Sequence, residues 1–444
     1  MEINANEMQV QLTQLREYID GIRGELNYYK KHAQLNVLYC MYQSFYVQNQ
    51  IRLNHIKDNL KSRRKIRVLY YVYIIDQVSF PLINEFVQAK KFDILLLAKD
   101  EKDLKKLEAM GYNVALVNKK DYQHHEKLIT KLEYRPDVVF SEMPYGNLPS
   151  LKFGIRNWMI EGNWLPDYIN IFGLDILNSA LFCYIPYGYS IAAKWGWLKA
   201  DHDLHCHYGL PYQNFCWLYF LETEGHLEMA LQENVSGNTK NYVVSGYPKY
   251  DVYGNKENQT NDIWRHRDVA RIVYAPHFFR SDPVLERTCQ ALLDLAETGK
   301  FEVVLKPHPN NNSIIKKYDR KFEEHEYTHI IRDGHKTQDL IESSDILIVS
   351  SVSMHADAIM ANKPFISELG LEHFNQFGRE ILSCSDAIIS PNSPLTAEMI
   401  DNVLKHQNVK MERRQKLLNQ MMPNGKNASS FIVQYIEKQL ILAS

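Results

Sequence analysis

Phe301-Glu302-Val303-Val304-Leu305-Lys306-Pro307-His308-Pro309 decides how this chain is read. Its apolar first half predicts a buried strand, and the two prolines that follow stop the strand and stiffen what comes next. A lysine and a histidine are thereby held just past a strand end. Open α/β sheets bind nucleotides at the carboxyl ends of their strands, and a lysine point charge beside an imidazole donor suits a phosphate oxygen.

Three more turns of this kind surround it in fixed order: Gly246-Tyr247-Pro248-Lys249-Tyr250-Asp251, Tyr274-Ala275-Pro276-His277, and Ser350-Ser351-Val352-Ser353 running on to Asp357. Each adjoins an apolar run. The serine turn follows Asp345-Ile346-Leu347-Ile348-Val349 and precedes a helix, so its hydroxyls and amides can cap that helix or hold a phosphate. Arg280, four residues after Pro276, reads either as a bidentate clamp for a diphosphate or as an exposed loop charge. Asp251 reads as structural, through a helix cap or turn hydrogen bond. Together the four turns point to an enzyme that handles a nucleotide diphosphate.

Strands are expected at 66–75, 92–97, 113–117 and 136–140, then at 242–245, 271–275, 301–305, 328–331 and 345–349, with helices between them. That alternation predicts an α/β fold: two Rossmann-like domains with parallel sheets facing a cleft, the architecture called GT-B. The expected units are 63–241, an acceptor domain, and 242–425, a nucleotide-donor domain, with a polar linker near 234–245 between them and a final amphipathic helix within 426–444. Residues 1–62 are expected to form a helical segment. Met8, Leu12, Leu15, Ile19, Ile22, Leu26, Tyr29 and Ala33 keep a four-three spacing, which predicts a coiled coil and a homo-oligomer. Gly21 and Gly24 weaken that helix, so it needs a partner.

Composition narrows the partners. Lys and Arg total 51 against 53 for Asp and Glu, a net charge of −2, which gives no electrostatic case for nucleic acid. The six cysteines show no CxxC spacing and the N-terminus no signal peptide, so the chain reads as cytoplasmic, with peripheral attachment to the inner face of a membrane left open. In the first domain Tyr184-Ile185-Pro186-Tyr187-Gly188-Tyr189 is another strand-to-glycine turn, and Ser141-Glu142-Met143-Pro144 another strand end. The cluster Asp201-His202-Asp203-Leu204-His205-Cys206-His207 holds ligand-type side chains without a common zinc spacing. It reads as a polar cleft wall or a source of a base, and no metal or cofactor is expected.

The ordered motifs resemble those of the CDP-glycerol glycerophosphotransferase family, the teichoic acid and capsule polymer transferases of bacteria. That family's Gly-x-Pro-Arg-x-Asp is similar to Gly246, Pro248, Lys249 and Asp251, its Tyr-Ala-Pro-Thr to Tyr274–His277, and its Lys-Pro-His-Pro to Lys306–Pro309. Its Ser-Asp-x-Leu-Ile-Thr-Asp-Tyr-Ser-Ser resembles Ser344 to Ser353, where only Ser353 matches the serine pair. The likeness covers roughly residues 135 to 370. It implies attack by an acceptor hydroxyl on the β-phosphorus of a CDP-linked alditol, with CMP leaving, and a glycan or polyol-phosphate acceptor. Donor-binding roles are implied for Lys306, Arg280, His277, Ser350, Ser351, Ser353, Gly188 and Asp357. The catalytic candidates are His308, Tyr187, Glu142 and His205. The family's first-domain His-Gly, whose histidine is implicated as the base, falls at Tyr187-Gly188; an ordinary tyrosine titrates near about pH 10 and is a poor base at neutral pH.

Two rival readings remain. A CMP-sugar transferase of the sialyl- or Kdo-transferase kind also uses a His-Pro turn and paired serines, and Glu222-Thr223-Glu224-Gly225 faintly resembles its acidic base motif. The other rival is a non-catalytic coiled-coil scaffold on a degenerate transferase body.

Overall fold

The computed structural model describes residues 44–63, 65–72, 80–98, 100–116, 129, 132–142, 175–176, 178–186, 188–191, 216–233, 240–254, 263–276, 283–307, 316–332, 337–390 and 392–442. The heptad positions 8 to 33 and the 201–207 cluster lie outside them.

Two parallel sheets organise the chain. The first has seven strands, β1 (Ile66–Val72), β2 (Phe92–Ala98), β3 (Val114–Leu116), β4 (Val138–Ser141), β5 (Leu181–Tyr184), β6 (Leu218–Leu221) and β7 (Tyr242–Val244), in the order β3-β2-β1-β4-β5-β6-β7. The second has six, β8 (Ala270–Ala275), β9 (Phe301–Leu305), β10 (Thr328–Ile330), β11 (Ile346–Val349), β12 (Phe365–Ser367) and β13 (Ala387–Ile388), in the order β10-β9-β8-β11-β12-β13. Helices cover both faces of each sheet, which is why the strands read as continuous apolar runs. The strand period of two then splits every run between two cores. In β1, Leu69 and Tyr71 enter one core while Val68, Tyr70 and Val72 enter the other. In β11, Leu347 and Val349 part from Ile346 and Ile348 in the same way.

The helices that matter below are α1 (44–62), α2 (Phe80–Gln88), α3 (Glu101–Ala109), α4 (Glu224–Glu233), α5 (Pro283–Glu297), α6 (Lys316–Glu324), α7 (Thr337–Ser343), α8 (Val352–Met360), α9 (Gln376–Leu382), α10 (Ala397–Lys405), α11 (Met411–Met421) and α12 (Ala428–Glu437). Expected and observed spans agree closely for 92–97, 301–305, 345–349 and the helix at 337–343. One strand changes place. Residues 242–244, expected to open the second sheet, pair in parallel with β6 and close the edge of the first, with Tyr242 opposite Tyr219. A three-residue apolar run carries no information about its partner; Leu221 takes the Ser245 amide, and this fixes the register.

Two segments tie the ends of the chain to the first sheet. Ile432, Val433, Ile436 and Leu440 of α12 and the turn after it are buried in its core with Leu82 and Phe86 of α2. At about 1.5–3 kcal/mol for each apolar side chain buried, this return crossing is a major contact between α12 and the first sheet's core. Helix α1 buries Phe45, Leu53 and Ile56 against the same domain and leaves Val47 and Ile51 exposed. This stretch of the expected coiled-coil segment is therefore packed on the body of the protein along one face.

Candidate functional site

In the second sheet the chain runs β8 to β9 to β10 in one direction and then returns to place β11 on the other side of β8. The reversal leaves a crevice beyond the carboxyl ends of β8 and β11, where open sheets of this kind bind ligands. Three of the four sequence motifs end there. Lys306 donates its amide to the Tyr274 carbonyl at 2.8 Å, and Ser350 donates its own to the Ala275 carbonyl at 3.2 Å. Those bonds set Pro276, Lys306 and the serine turn on three adjacent strand ends. Lys306 is half-buried, with Nζ donating to the Arg332 carbonyl at 3.3 Å. His277, Arg280 and His308 lie outside the described residues.

Ser350 is buried, while Ser351 and Ser353 are half-buried. Ser351 is the N-cap of α8 and makes no side-chain cap bond; its hydroxyl lies 3.2 Å from that of Ser353. Two hydroxyls thus stand beside first-turn amides at the positive end of a helix, an arrangement that favours an anion. His355, one turn further along, fixes the geometry. It is fully buried, and desolvation lowers its pKa to about 4, so the ring is neutral. Nδ1–H then donates to the Ser351 carbonyl at 2.9 Å, and Nε2 lies 2.7 Å from the Ser367 hydroxyl, which joins the serine turn to β12. The sequence reading passed over His355; the signal was its place four residues after Ser351.

Asp357, expected among the donor-binding groups, is held by a partner of its own. Its Oδ2 lies 2.8 Å from Lys249 Nζ, with the two side chains 1% and 15% exposed. Burial and the nearby Asp357 charge keep the Tyr253 hydroxyl well above the usual phenol range. The Gly246–Asp251 motif therefore reaches the serine helix from the side. Its last residue does what the sequence suggested: Asp251 accepts the Ala428 and Ser429 amides at 2.9 and 2.7 Å and caps α12. Burial raises the Asp251 pKa, and those amide bonds oppose the rise.

A further acid at this sheet edge escaped the sequence reading. Glu368 follows β12, is buried, and accepts hydrogen bonds from Tyr274 Oη at 3.0 Å and Thr288 Oγ1 at 2.5 Å. A carboxylate directly after the short strand Phe365-Ile366-Ser367 was the signal available.

The first sheet reverses between β1 and β4, and Glu142 stands at that point. It is 1% exposed, and its Oε1 accepts the Tyr70 hydroxyl at 2.6 Å, so the carboxylate is seated in the core. Gly188 is half-buried with open space where a Cβ would be. Tyr187 and His205 lie outside the described residues. Beyond Gly188, Ser190 donates its amide to Glu222 Oε1 at 3.0 Å. Glu222 is fully buried and its Oε2 has no hydrogen-bond partner. His226, whose pKa burial lowers while the Glu222 charge opposes the drop, is neutral; Nε2–H donates to the Ser190 carbonyl at 3.1 Å and Nδ1 accepts from Thr223 Oγ1 at 2.7 Å.

A family model described as CDP-glycerol:poly(glycerophosphate) glycerophosphotransferase matches residues 209–438, just over half of the chain. The chain belongs to this family. No curated protein matches it at a significant level. Among solved structures, one of the wall teichoic acid polymerase TagF soaked with CDPG is 13% identical, with a TM-score of 0.55 over 92% of this chain and 98% of that one. The MnaA–UDP co-structure from S. aureus is 12% identical, with a TM-score of 0.56 over 85% and 97%. UDP-GlcNAc 2-epimerase from Neisseria meningitidis bound to UDP-GlcNAc is 14% identical, with a TM-score of 0.55 over 84% and 100%. At such identities these likenesses show the fold: the two-sheet GT-B type. Membership of the glycerophosphotransferase family makes the chain an enzyme of that class. No helix among the described residues is long and apolar enough to cross a membrane.

Proposed function

We propose that this glycerophosphotransferase-family enzyme moves an alditol-phosphate group from a CDP-linked donor, CDP-glycerol in the first instance, to a hydroxyl of a teichoic acid or capsule-type polymer. The acceptor oxygen forms a bond to the β-phosphorus, the bond from that phosphorus to the bridging oxygen breaks, and CMP leaves with the bridging oxygen. The hydroxyl proton passes to a base of the acceptor side. Such a transfer is governed by positioning and by charge neutralisation on the diphosphate. The observation that carries this reading is the convergence of Lys306 and the Ser351–Ser353 turn at the crevice between β8 and β11. Lys306 and the amino end of α8 take the diphosphate, with His277, Arg280 and His308 assigned to the same pocket by their places in the motifs. Glu142 is seated in the core, so Tyr187 and His205 remain the acceptor-side candidates. The rival CMP-sugar reading drew on Glu222, whose buried carboxylate is engaged with the Ser190 backbone.

A donor screen tests the proposal. CMP release is expected from CDP-glycerol or CDP-ribitol with a polyol-phosphate acceptor; turnover of CMP-sialic acid or CMP-Kdo without turnover of either CDP-alditol would overturn it. We assign the 1–43 stripe to self-association, and light scattering on a chain that lacks those residues but keeps α1 checks it, an unchanged mass being the contrary result.

A further inference from the structure

The backbone of Ser190 and Ile191, just past Gly188, is bound from both halves of the molecule. From the first half, Glu222 Oε1 takes the Ser190 amide and His226 Nε2–H reaches the Ser190 carbonyl. From the second half, Asn375 Nδ2–H donates to that same carbonyl at 2.8 Å, and the Asn375 amide donates to the Ile191 carbonyl at 3.0 Å. Asn375 is also the N-cap of α9, its Oδ1 accepting the Gly378 amide at 2.8 Å. Its backbone carbonyl accepts the Arg379 amide at 2.9 Å, so all four of its polar groups are in use. Gly378 is what permits the approach, because a Cβ there would stand 2.4 Å from the Ile191 carbonyl oxygen. Phe377 completes the contact by packing its ring against His226 and Tyr189, at centroid distances of 5.2 and 6.1 Å.

We infer that Asn375 is a positioning residue: from the donor half it sets the backbone that follows Gly188, so that the acceptor-side turn takes its working geometry only while α9 is docked on it. This rests on the donor and acceptor assignment proposed above. Two carbonyls are fixed by one residue of the opposite half, that of Ser190 by its side chain and that of Ile191 by its backbone amide, and the same side chain secures the helix from which it projects. A small displacement of the second half is thereby passed directly to the Gly188 turn. A misplacement of about 1 Å at a reacting group costs on the order of 100-fold in rate. Glu222 and His226 contribute the fixed side of the clamp.

Asn375→Asp separates the two roles of this residue. Aspartate caps a helix as well as asparagine does, so the bond from Gly378 survives. It has no N–H to offer Ser190, and sets a negative charge against that carbonyl instead. In the full-length enzyme, kcat with CDP-glycerol is expected to fall about 10- to 100-fold, with KM for the donor and the calorimetric Kd for CDP each within about twofold of the unaltered enzyme. Amide exchange at Ser190 and Asn375 is expected to rise about tenfold or more, since it reports local opening of the clamp. Gly378→Ala is expected to move the same readouts in the same direction. Unchanged exchange in both variants would overturn the clamp, and faster exchange with unchanged kcat would overturn the positioning role. Absence of CDP-alditol turnover in the unaltered enzyme would sink the donor reading instead, and exchange alone would then decide the clamp.

Discussion

The Gly246–Asp251 turn and the Lys306/Ser350–Ser353 strand ends belong to one ordered set of motifs, but the fold uses them differently. The first is locked into the frame: Lys249 holds Asp357, Asp251 caps α12, and Gly246 fits beneath Ala428. The second stands half-buried at a sheet's reversal point, with hydroxyls beside an uncapped helix end. A motif in a row of binding turns is therefore not itself a binding turn. What separates the two is what their contacts do: the first turn's ion pair and cap bonds tie distant elements into the frame, while the second's side chains stand half-buried at strand ends.

If that contrast is right, changes at the first region should act on stability and changes at the second on turnover. The largest effect is expected at Lys249→Met, which leaves Asp357 charged, buried and without its partner. Breaking such a pair costs about 3–5 kcal/mol, and urea unfolding should show a loss near the lower end because Lys249 keeps some solvent contact. Lys249→Arg should recover most of it. A Lys249→Met protein as stable as the original, but unable to bind CDP, would place this lysine in the pocket and break the comparison.

His355 belongs to the frame behind the serine turn and gives a pH signature. Its pKa is about 4 in the folded chain against 6.5 for an ordinary histidine. Between those values the unfolded chain binds a proton that the folded one does not, so stability rises with pH across this window and is lost as pH falls through it. About 3 kcal/mol is expected to go between neutral pH and about pH 4 from this group. A His355→Gln protein should lack that part of the slope in denaturant titrations; an identical slope would mean that the ring is not neutral and buried in solution.

Lys306→Ala tests the other side. About 100-fold of turnover with CDP-glycerol should disappear, in keeping with removal of one preorganised charge at a phosphate, while the midpoint of urea unfolding hardly moves. A stability loss with normal kinetics would reassign Lys306 to the frame.

The same contrast explains what the sequence made legible. Buried parallel strands are long apolar runs, so β1, β2, β9 and β11 stand out, and the turns that follow them can be read with their strands. The crevice at β8 and β11 was visible in that way. Partner choice was not. β7 went to the wrong sheet because three residues do not specify which edge they join, and β6, a run of only four residues, was not read as a strand. His355, Glu368 and Asn375 were missed because each owes its role to a contact with another element, Ser367 for the first, Tyr274 and Thr288 for the second, Ser190 for the third. Asp251 was read correctly as structural, since an aspartate in a tight turn has few other uses, but its target 177 residues away was beyond any local pattern.

The smallest effect sharpens the comparison most. Gly246 has φ +85°, a region costly to residues with a side chain, and a Cβ there would lie 3.1 Å from the Ala428 Cβ. Gly246→Ala should cost about 1–2 kcal/mol for the backbone, and the close methyl contact asks the first residue of α12 to shift by a few tenths of an ångström. Asp251 bonds that same residue and the next, so the shift weakens the cap as well. None of this touches the β8–β11 crevice. The variant should therefore unfold at lower urea, lose protection from exchange in α12, and bind CDP with unchanged affinity. Weaker CDP binding in a protein that is still fully folded at the assay temperature would mean that the hinge between Gly246 and α12 is felt at the donor crevice, and the division between frame and pocket would have to be redrawn.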